Sequence, residues 1–95
     1  FFSCMGDCPE QIYHCQCELD EDWDDWVFTE PRILLSPQEV WEGSDLPRQP
    51  SVVGTATGRL CELRDPGIFV DEDQIYILYS GAGEAAIGIA RLEEH

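Results

Sequence analysis

The sequence predicts an all-β protein, and three observations carry that expectation. Residues 64–92 contain three short runs rich in β-branched and aromatic residues: Ile68, Phe69 and Val70, then residues 75–79, then Ile87 and Ile89. Each run has strand length, is bounded by Gly or acidic turn residues, and is too short for a typical helix. The links Asp71-Glu72-Asp73 and Gly81-Ala82-Gly83-Glu84 are of the length that joins antiparallel neighbours. The third observation is an internal repeat. Adding 77 to Phe2, Ser3, Gly6, Asp7 and Ile12 lands on Tyr79, Ser80, Gly83, Glu84 and Ile89. Repeats of this kind point to radially arranged units whose cores are completed by neighbours.

Taken in order, residues 1–3 read as the end of a strand, and residues 4–10 as a turn-rich connection punctuated by Gly6 and Pro9. Residues 11–17 read as a strand of mixed polarity. Residues 18–25 form an acidic loop of solvated carboxylates around Trp23, without the spacing or the Gly of a calcium loop. Residues 27–29 and 32–35 bracket Pro31, which marks an edge strand or a break. Residues 36–58 hold Pro37, Pro47, Pro50, Gly43, Gly54 and Gly58; Trp41, Glu42, Asp45 and Arg48 argue that this long stretch is an ordered loop. Residues 60–63 lead into Arg64-Asp65-Pro66. Pro66 fixes its own φ and is expected to hold Asp65 extended, so that the carboxylate points in a set direction. The expected organisation is residues 1–35 as the end of one unit, 36–63 as a connecting loop, and 64–95 as the next unit.

Composition narrows the partners. The 95 residues suffice for one small domain. Twenty acidic residues face five basic ones, all Arg, for a formal charge of -15. Such a surface repels phosphate backbones and anionic lipid, so nucleic acid and membranes are not the expected partners. At 43% hydrophobic the chain is expected to fold rather than stay disordered. High acidity without Lys also suits a salt-rich cytosol, where screening relieves self-repulsion. No signal peptide or membrane span is visible, and a cytoplasmic location is the expectation. The opening Phe1-Phe2-Ser3 reads as a chain already under way, so the sequence is expected to be a fragment of something longer.

Five Cys at 4, 8, 15, 17 and 61 form no regular disulfide framework. Cys4, Cys8, His14, Cys15 and Cys17 raise a zinc reading. Their spacing lacks the paired knuckles of structural sites, and Cys15 and Cys17 would share one strand face as packing thiols. No metal is expected. His14 and His95 have no nucleophile partner at a known spacing, and no cofactor motif is present, so no cofactor is expected.

Four segments carry a resemblance. Gly6-Asp7-Cys8-Pro9-Glu10-Gln11-Ile12 is similar to a Gly-Asp-x-Pro-Glu-Arg-Ile stretch. Trp23 and Trp26 resemble a Trp pair before an outer strand. Trp41-Glu42-Gly43-Ser44-Asp45-Leu46-Pro47 resembles a Glu-Gly-x-Asp-Leu-Pro loop. Leu63-Arg64-Asp65-Pro66 together with residues 76–84 resembles a final blade. In this order they resemble the C-terminal part of a five-bladed β-propeller glycosidase-like protein: glycoside hydrolases of the arabinanase, levansucrase and invertase type, and the related glycoside phosphorylases. Gln11 stands where that pattern has Arg, which removes a cationic contact.

The resemblance implies a fragment of a five-bladed β-propeller, comprising the end of one blade and most of the last. It also implies a carbohydrate partner and reliance on the missing blades of the parent chain. Glycoside hydrolysis needs two carboxyl groups at a set separation, and two partial blades do not assemble that pair. The fragment is therefore expected to be inactive alone. Asp65 is the best catalytic candidate, at the start of an inner strand, where Arg64 would keep it ionised; an Arg64–Asp65 structural pair is the alternative. Arg64, Asp65, Glu42 and Asp45 are the expected substrate-binding residues, with a loop-bracing role open for Glu42 and Asp45. Asp7 and Glu84 occupy equivalent turns and are expected to stabilise them. Trp23, Trp26 and Trp41 could stack on sugars but are expected to fill space between blades. Two other function classes remain: a non-catalytic sugar-binding or scaffold propeller, and a small free-standing interaction domain.

Overall fold

The computed structural model describes residues 1–19, 21–54 and 58–93. The readings that touched Asp20, residues 55–57 and His95 lie outside the described residues. The protein is all-β, with two three-stranded antiparallel sheets. The first comprises β1 (Phe2–Ser3), β2 (Ile12–His14) and β3 (Arg32–Leu35) in the order β1-β2-β3. The second comprises β4 (Leu63–Asp71), β5 (Gln74–Gly81) and β6 (Ala86–Leu92) in the order β4-β5-β6. Two single-turn 3-10 helices, Trp23–Asp25 and Val40–Glu42, lie in the connections.

The second sheet is the expected meander, with two local corrections. Asp71 pairs with Gln74, so the β4–β5 link is a two-residue loop with Glu72 at φ 53°, not a three-residue acidic link. Secondly, Asp65 is not extended. Its φ is 52°, because the register slips between Arg64, which faces Ser80, and Gly67, which faces Leu78. Asp65 and Pro66 thus oppose Tyr79 alone, forming a bulge. A bulge bends the strand and re-aims a side chain, so it, rather than the proline, sets the direction of Asp65.

The first sheet is sparser than the sequence predicted. The expected strand at 11–17 narrows to Ile12–His14, with a separate bridge from Cys17 to Phe28 as the remnant of the strand expected at 27–29. Pro31 separates that bridge from β3, as its missing N–H requires. Cys15 and Cys17 are half-buried rather than packed inside, and all five Cys are free.

The sheets meet through a small core. Ile12, Leu63 and Tyr79 are buried together, with Leu35 and Ala90 packed against them. Leu63 N donates to the Glu10 carbonyl at 2.9 Å, which joins β4 to the chain entering β2. At the other end of the core Trp41 stacks on Tyr79, with ring centroids 6.2 Å apart. Gly88 lets both rings in: a Cβ there would lie 2.5 Å from Tyr79 and 2.6 Å from Trp41.

The 77-residue repeat corresponds in its strands, Phe2 and Ser3 lying in β1 and Tyr79 and Ser80 in β5. Gly6 and Gly83 both have positive φ. The later Ile positions diverge, with Ile12 fully buried and Ile89 61% exposed. The reason is packing: the β1–β2 hairpin has β4 against it, whereas no described residue covers the Ile89 face of the second sheet. That face carries Phe69, Tyr76, Leu78, Ile87 and Ile89, on one side by the pairings Phe69–Tyr76, Leu78–Ile89 and Ser80–Ile87.

Candidate functional site

The site is built on Arg64. Leu63 and Arg64 open β4 in the buried interior, so the guanidinium is drawn inward and its side chain is only 7% exposed. A buried charge must be paired and hydrogen-bonded. Its Nε donates to Glu10 Oε1 at 3.1 Å, Nη1 to the Gly54 carbonyl at 3.0 Å and Nη2 to the Val52 carbonyl at 2.7 Å. Two further carboxylates stand close: Glu62 Oε2 is 3.2 Å from Nε, and Glu84 Oε1 is 3.7 Å from Nη1. The predicted Arg64–Asp65 pair is replaced by these contacts, because the bulge turns Asp65 out to solvent while Arg64 points in.

Glu62 is the unusual member. Its Oε2 is buried and accepts no hydrogen bond despite its closeness to Arg64. Nε has a single hydrogen, and that hydrogen is directed at Glu10. Burial pushes the Glu62 carboxyl above its usual range; Arg64 opposes the shift, and Glu10 and Glu84 add to it. Glu10 is further held by Ser3, whose hydroxyl donates to Oε2 at 2.6 Å.

Beside the cluster lies an open cleft of about 350 Å³, lined by Ser3, Met5, Glu10, Gly54, Arg64, Asp65 and Glu84. The structure therefore brings together Arg64 and Asp65 of the expected site and adds Glu10 and Glu84. Glu42 and Asp45 lie elsewhere. Glu42 is buried and accepts hydrogen bonds from the Tyr79 hydroxyl at 2.7 Å and from the amides of Gln38 and Glu39 at 3.1 and 2.9 Å. Burial, then the Glu42 contact, raises the Tyr79 hydroxyl well above the usual tyrosine value. Asp45 pairs with Arg59 at 3.2 Å on the surface, and Arg59 also binds the Val40 carbonyl. These contacts brace the long loop.

Asp7 and Glu84 each follow a positive-φ glycine but share neither the turn type nor the partner: Ala82 and Gly83 both have positive φ, whereas of Met5 and Gly6 only Gly6 does. Asp7 accepts from the Tyr13 hydroxyl, and that contact raises the Tyr13 hydroxyl above its usual value; Glu84 faces Arg64. Gln11, at the position where the resemblance has Arg, donates to Tyr13 at 3.2 Å. The cation serving that loop comes instead from Arg64, 54 residues away. Trp23 is 73% exposed and Trp26 38% exposed, so neither packs into the core of this chain.

A larger open cleft, about 810 Å³, lies between Cys17, Glu18, Leu19, Asp25 and Val27. Among the described residues that line it no charged group is buried, so the Arg64 cleft is the better candidate. Among the described residues no three His, Cys, Asp or Glu side chains come together to hold a metal. No helix among them is long and apolar enough to cross a membrane.

Sequence reasoning missed Glu10 and Glu62 as site members. Glu10 sits within a quoted motif but has no periodicity to single it out. Glu62 is visible only once Arg64 is seen to turn inward.

Comparison with known proteins adds one relative. The chain is 38% identical over 89 residues to "Uncharacterized protein R118" of Acanthamoeba polyphaga mimivirus. That match covers 93% of this chain and 25% of the viral protein, so the chain spans about a quarter of the length of the curated relative it matches. No family model matches the chain, and no solved structure matches it.

Proposed function

We propose that this chain is the closing part of a five-bladed β-propeller of the carbohydrate-active, glycoside hydrolase or phosphorylase kind, and that the cleft at the start of β4 supplies sugar-binding groups to it. The observation that carries this reading is the make-up of the cleft. Ser3 and Glu10 come from the first hairpin, Arg64 and Asp65 from the bulge of β4, and Glu84 from the β5–β6 turn. Glu10, Arg64, Asp65 and Glu84 all belong to segments that carry the resemblance. Carboxylates held beside a guanidinium suit the neutral hydroxyls of a sugar ring, which both accept and donate hydrogen bonds.

A second observation supports incompleteness. The accessible surface is 6900 Å², against about 5,500 Å² for a compact monomer of this mass. Phe69, Ile87 and Ile89 lie uncovered on one face of the second sheet. Uncovered apolar faces are what a blade presents before its neighbours are added.

The test is binding of neutral oligosaccharides to the chain, wild type against Asp65→Asn, with an aryl glycoside assay alongside. Asn tolerates the positive φ that Asp65 adopts, so the fold should survive. Saturable binding that weakens in the variant, without turnover, is the expected result. Binding that ignores the substitution removes Asp65 from the site, and absence of any binding removes the sugar reading.

A further inference from the structure

We propose that the cleft at the start of β4 selects a sugar carrying a protonated amine, and that Asp65 and Glu84 are the groups that read the amine. This selectivity rests on the sugar reading above and narrows it to one class of sugar.

Acceptors outnumber donors in the cleft. Three carboxylates, Glu10, Asp65 and Glu84, line it against one guanidinium, Arg64, for a formal charge of -2. Glu10 is spent on the protein. Its Oε1 accepts from Arg64 at 3.1 Å and its Oε2 from the Ser3 hydroxyl at 2.6 Å, which also uses the Ser3 donor. Arg64 is largely spent too. Three of its N–H groups go to Glu10, Gly54 and Val52, and its side chain is only 7% exposed. Behind it Glu62 Oε2, 3.2 Å from Nε, is buried with no donor at all. The guanidinium is therefore already short of hydrogens for the carboxylates around it.

Asp65 and Glu84 are left to face a ligand. Asp65 is exposed and makes no hydrogen bond or ion pair with a described residue. Glu84 has its side chain 35% exposed and only Arg64 Nη1 near it, at 3.7 Å, beyond hydrogen-bond range. Their backbones are set by the bulge, with Asp65 at φ 52°, and by the Ala82–Gly83 turn. A sugar hydroxyl brings one hydrogen and two lone pairs; an ammonium brings three hydrogens, no lone pair and the opposite charge. The ammonium thus matches an acceptor-only, net negative lining better than a hydroxyl does. Met5, 63% exposed on the rim, offers apolar surface to the C–H face of the ring. Inorganic phosphate, an acceptor with negative charge, meets acceptors and negative charge here, so this cleft rejects it.

The experiment is an NMR titration of the whole chain at mildly acidic pH. The probes are the methyl glycosides of glucosamine, glucose and N-acetylglucosamine, which differ only at C2. Shifts are read at the Gly54, Asp65 and Glu84 amides, with a neutral oligosaccharide and inorganic phosphate run alongside. The glucosaminide should bind about threefold or more tighter than the other two, the gain for one ammonium beside two partly exposed carboxylates. Glu84→Gln should cut that advantage by about half or more while the glucoside still binds. Asp71→Asn makes the same change of charge at the far, exposed end of β4 and should leave the advantage intact. An advantage that survives Glu84→Gln, or falls equally in Asp71→Asn, belongs to the overall charge and overturns the proposal. So does saturable phosphate binding at these amides. Oligosaccharide binding with no preference for the amine overturns the proposal and leaves the sugar reading standing; failure of every sugar overturns both.

Discussion

The Tyr79 hydroxyl donates to Glu42 Oε2 at 2.7 Å across 37 residues of sequence, tying the middle of β5 to the long loop. Both groups are buried. Tyr79→Phe therefore leaves a buried carboxylate oxygen short of a donor, at a cost of about 1–3 kcal/mol. Denaturant unfolding of the variant should show this loss. Glu42→Gln in the same background should cost less than it does alone, because the pair acts as a unit.

Arg64 balances more than one acid, so its removal should be severe. Arg64→Leu strands Glu10 and Glu62 without a counter-charge, and breaking a buried pair this way costs about 3–5 kcal/mol. Arg64→Lys should recover little, since an ammonium lacks the planar fork that reaches Glu10, Val52 and Gly54 together. Thermal unfolding of the two variants checks both statements.

Glu62 gives a pH dependence of stability with a definite sign. Its folded-state carboxyl is raised above the ordinary 4.5, so the folded state holds the proton more tightly. The associated stability is fully present below about 4.5 and is lost as pH rises through the folded value. Glu62→Gln should track the wild type in acid and become increasingly more stable than it toward neutrality. Urea midpoints at several pH values measure this. A gap that narrows with rising pH would contradict the assignment.

Gly43 and Gly88 test two different constraints. Gly43 ends the Val40–Glu42 helix at φ 92°, and a Cβ there would lie 2.2 Å from the Leu60 carbonyl oxygen. Backbone does not move aside easily, so Gly43→Ala should exceed the ~1 kcal/mol range of a simple glycine replacement. At Gly88 the obstacles are the Tyr79 and Trp41 rings, and overpacking should cost about 1–3 kcal/mol. Loss of near-ultraviolet circular dichroism should accompany Gly88→Ala, because the stacked pair must shift.

The uncovered face of the second sheet should govern association. Ile87 is 81% exposed and Ile89 61% exposed. Replacing both with Thr should reduce self-association in sedimentation while changing stability by less than about 0.5 kcal/mol per site. Added salt should raise the unfolding midpoint, because a formal charge of -15 resists compaction. A midpoint indifferent to salt would show that this self-repulsion is not limiting.

The strand content of residues 63–92, the two tight turns and the break at Pro31 were legible in the sequence. These are local matters: β-branched runs, Gly at positive φ and a missing N–H act within a few residues. The direction of Asp65 was not legible, because it depends on how β4 registers against β5 through seven paired positions. Nor was the divergence of Ile12 and Ile89, since equal local patterns are buried or exposed according to what packs on them. The site shows the same division. Sequence alone identified Arg64 and Asp65 as a step worth attention and the charge that excludes nucleic acid as an expected partner. Only the tertiary structure set Arg64 against Glu10, Glu62 and Glu84, contributed from three separate stretches, and left Glu42 to brace a loop. Burial made that choice: a guanidinium drawn inside must gather carboxylates from wherever the fold can supply them, and no spacing along the chain records which ones those are.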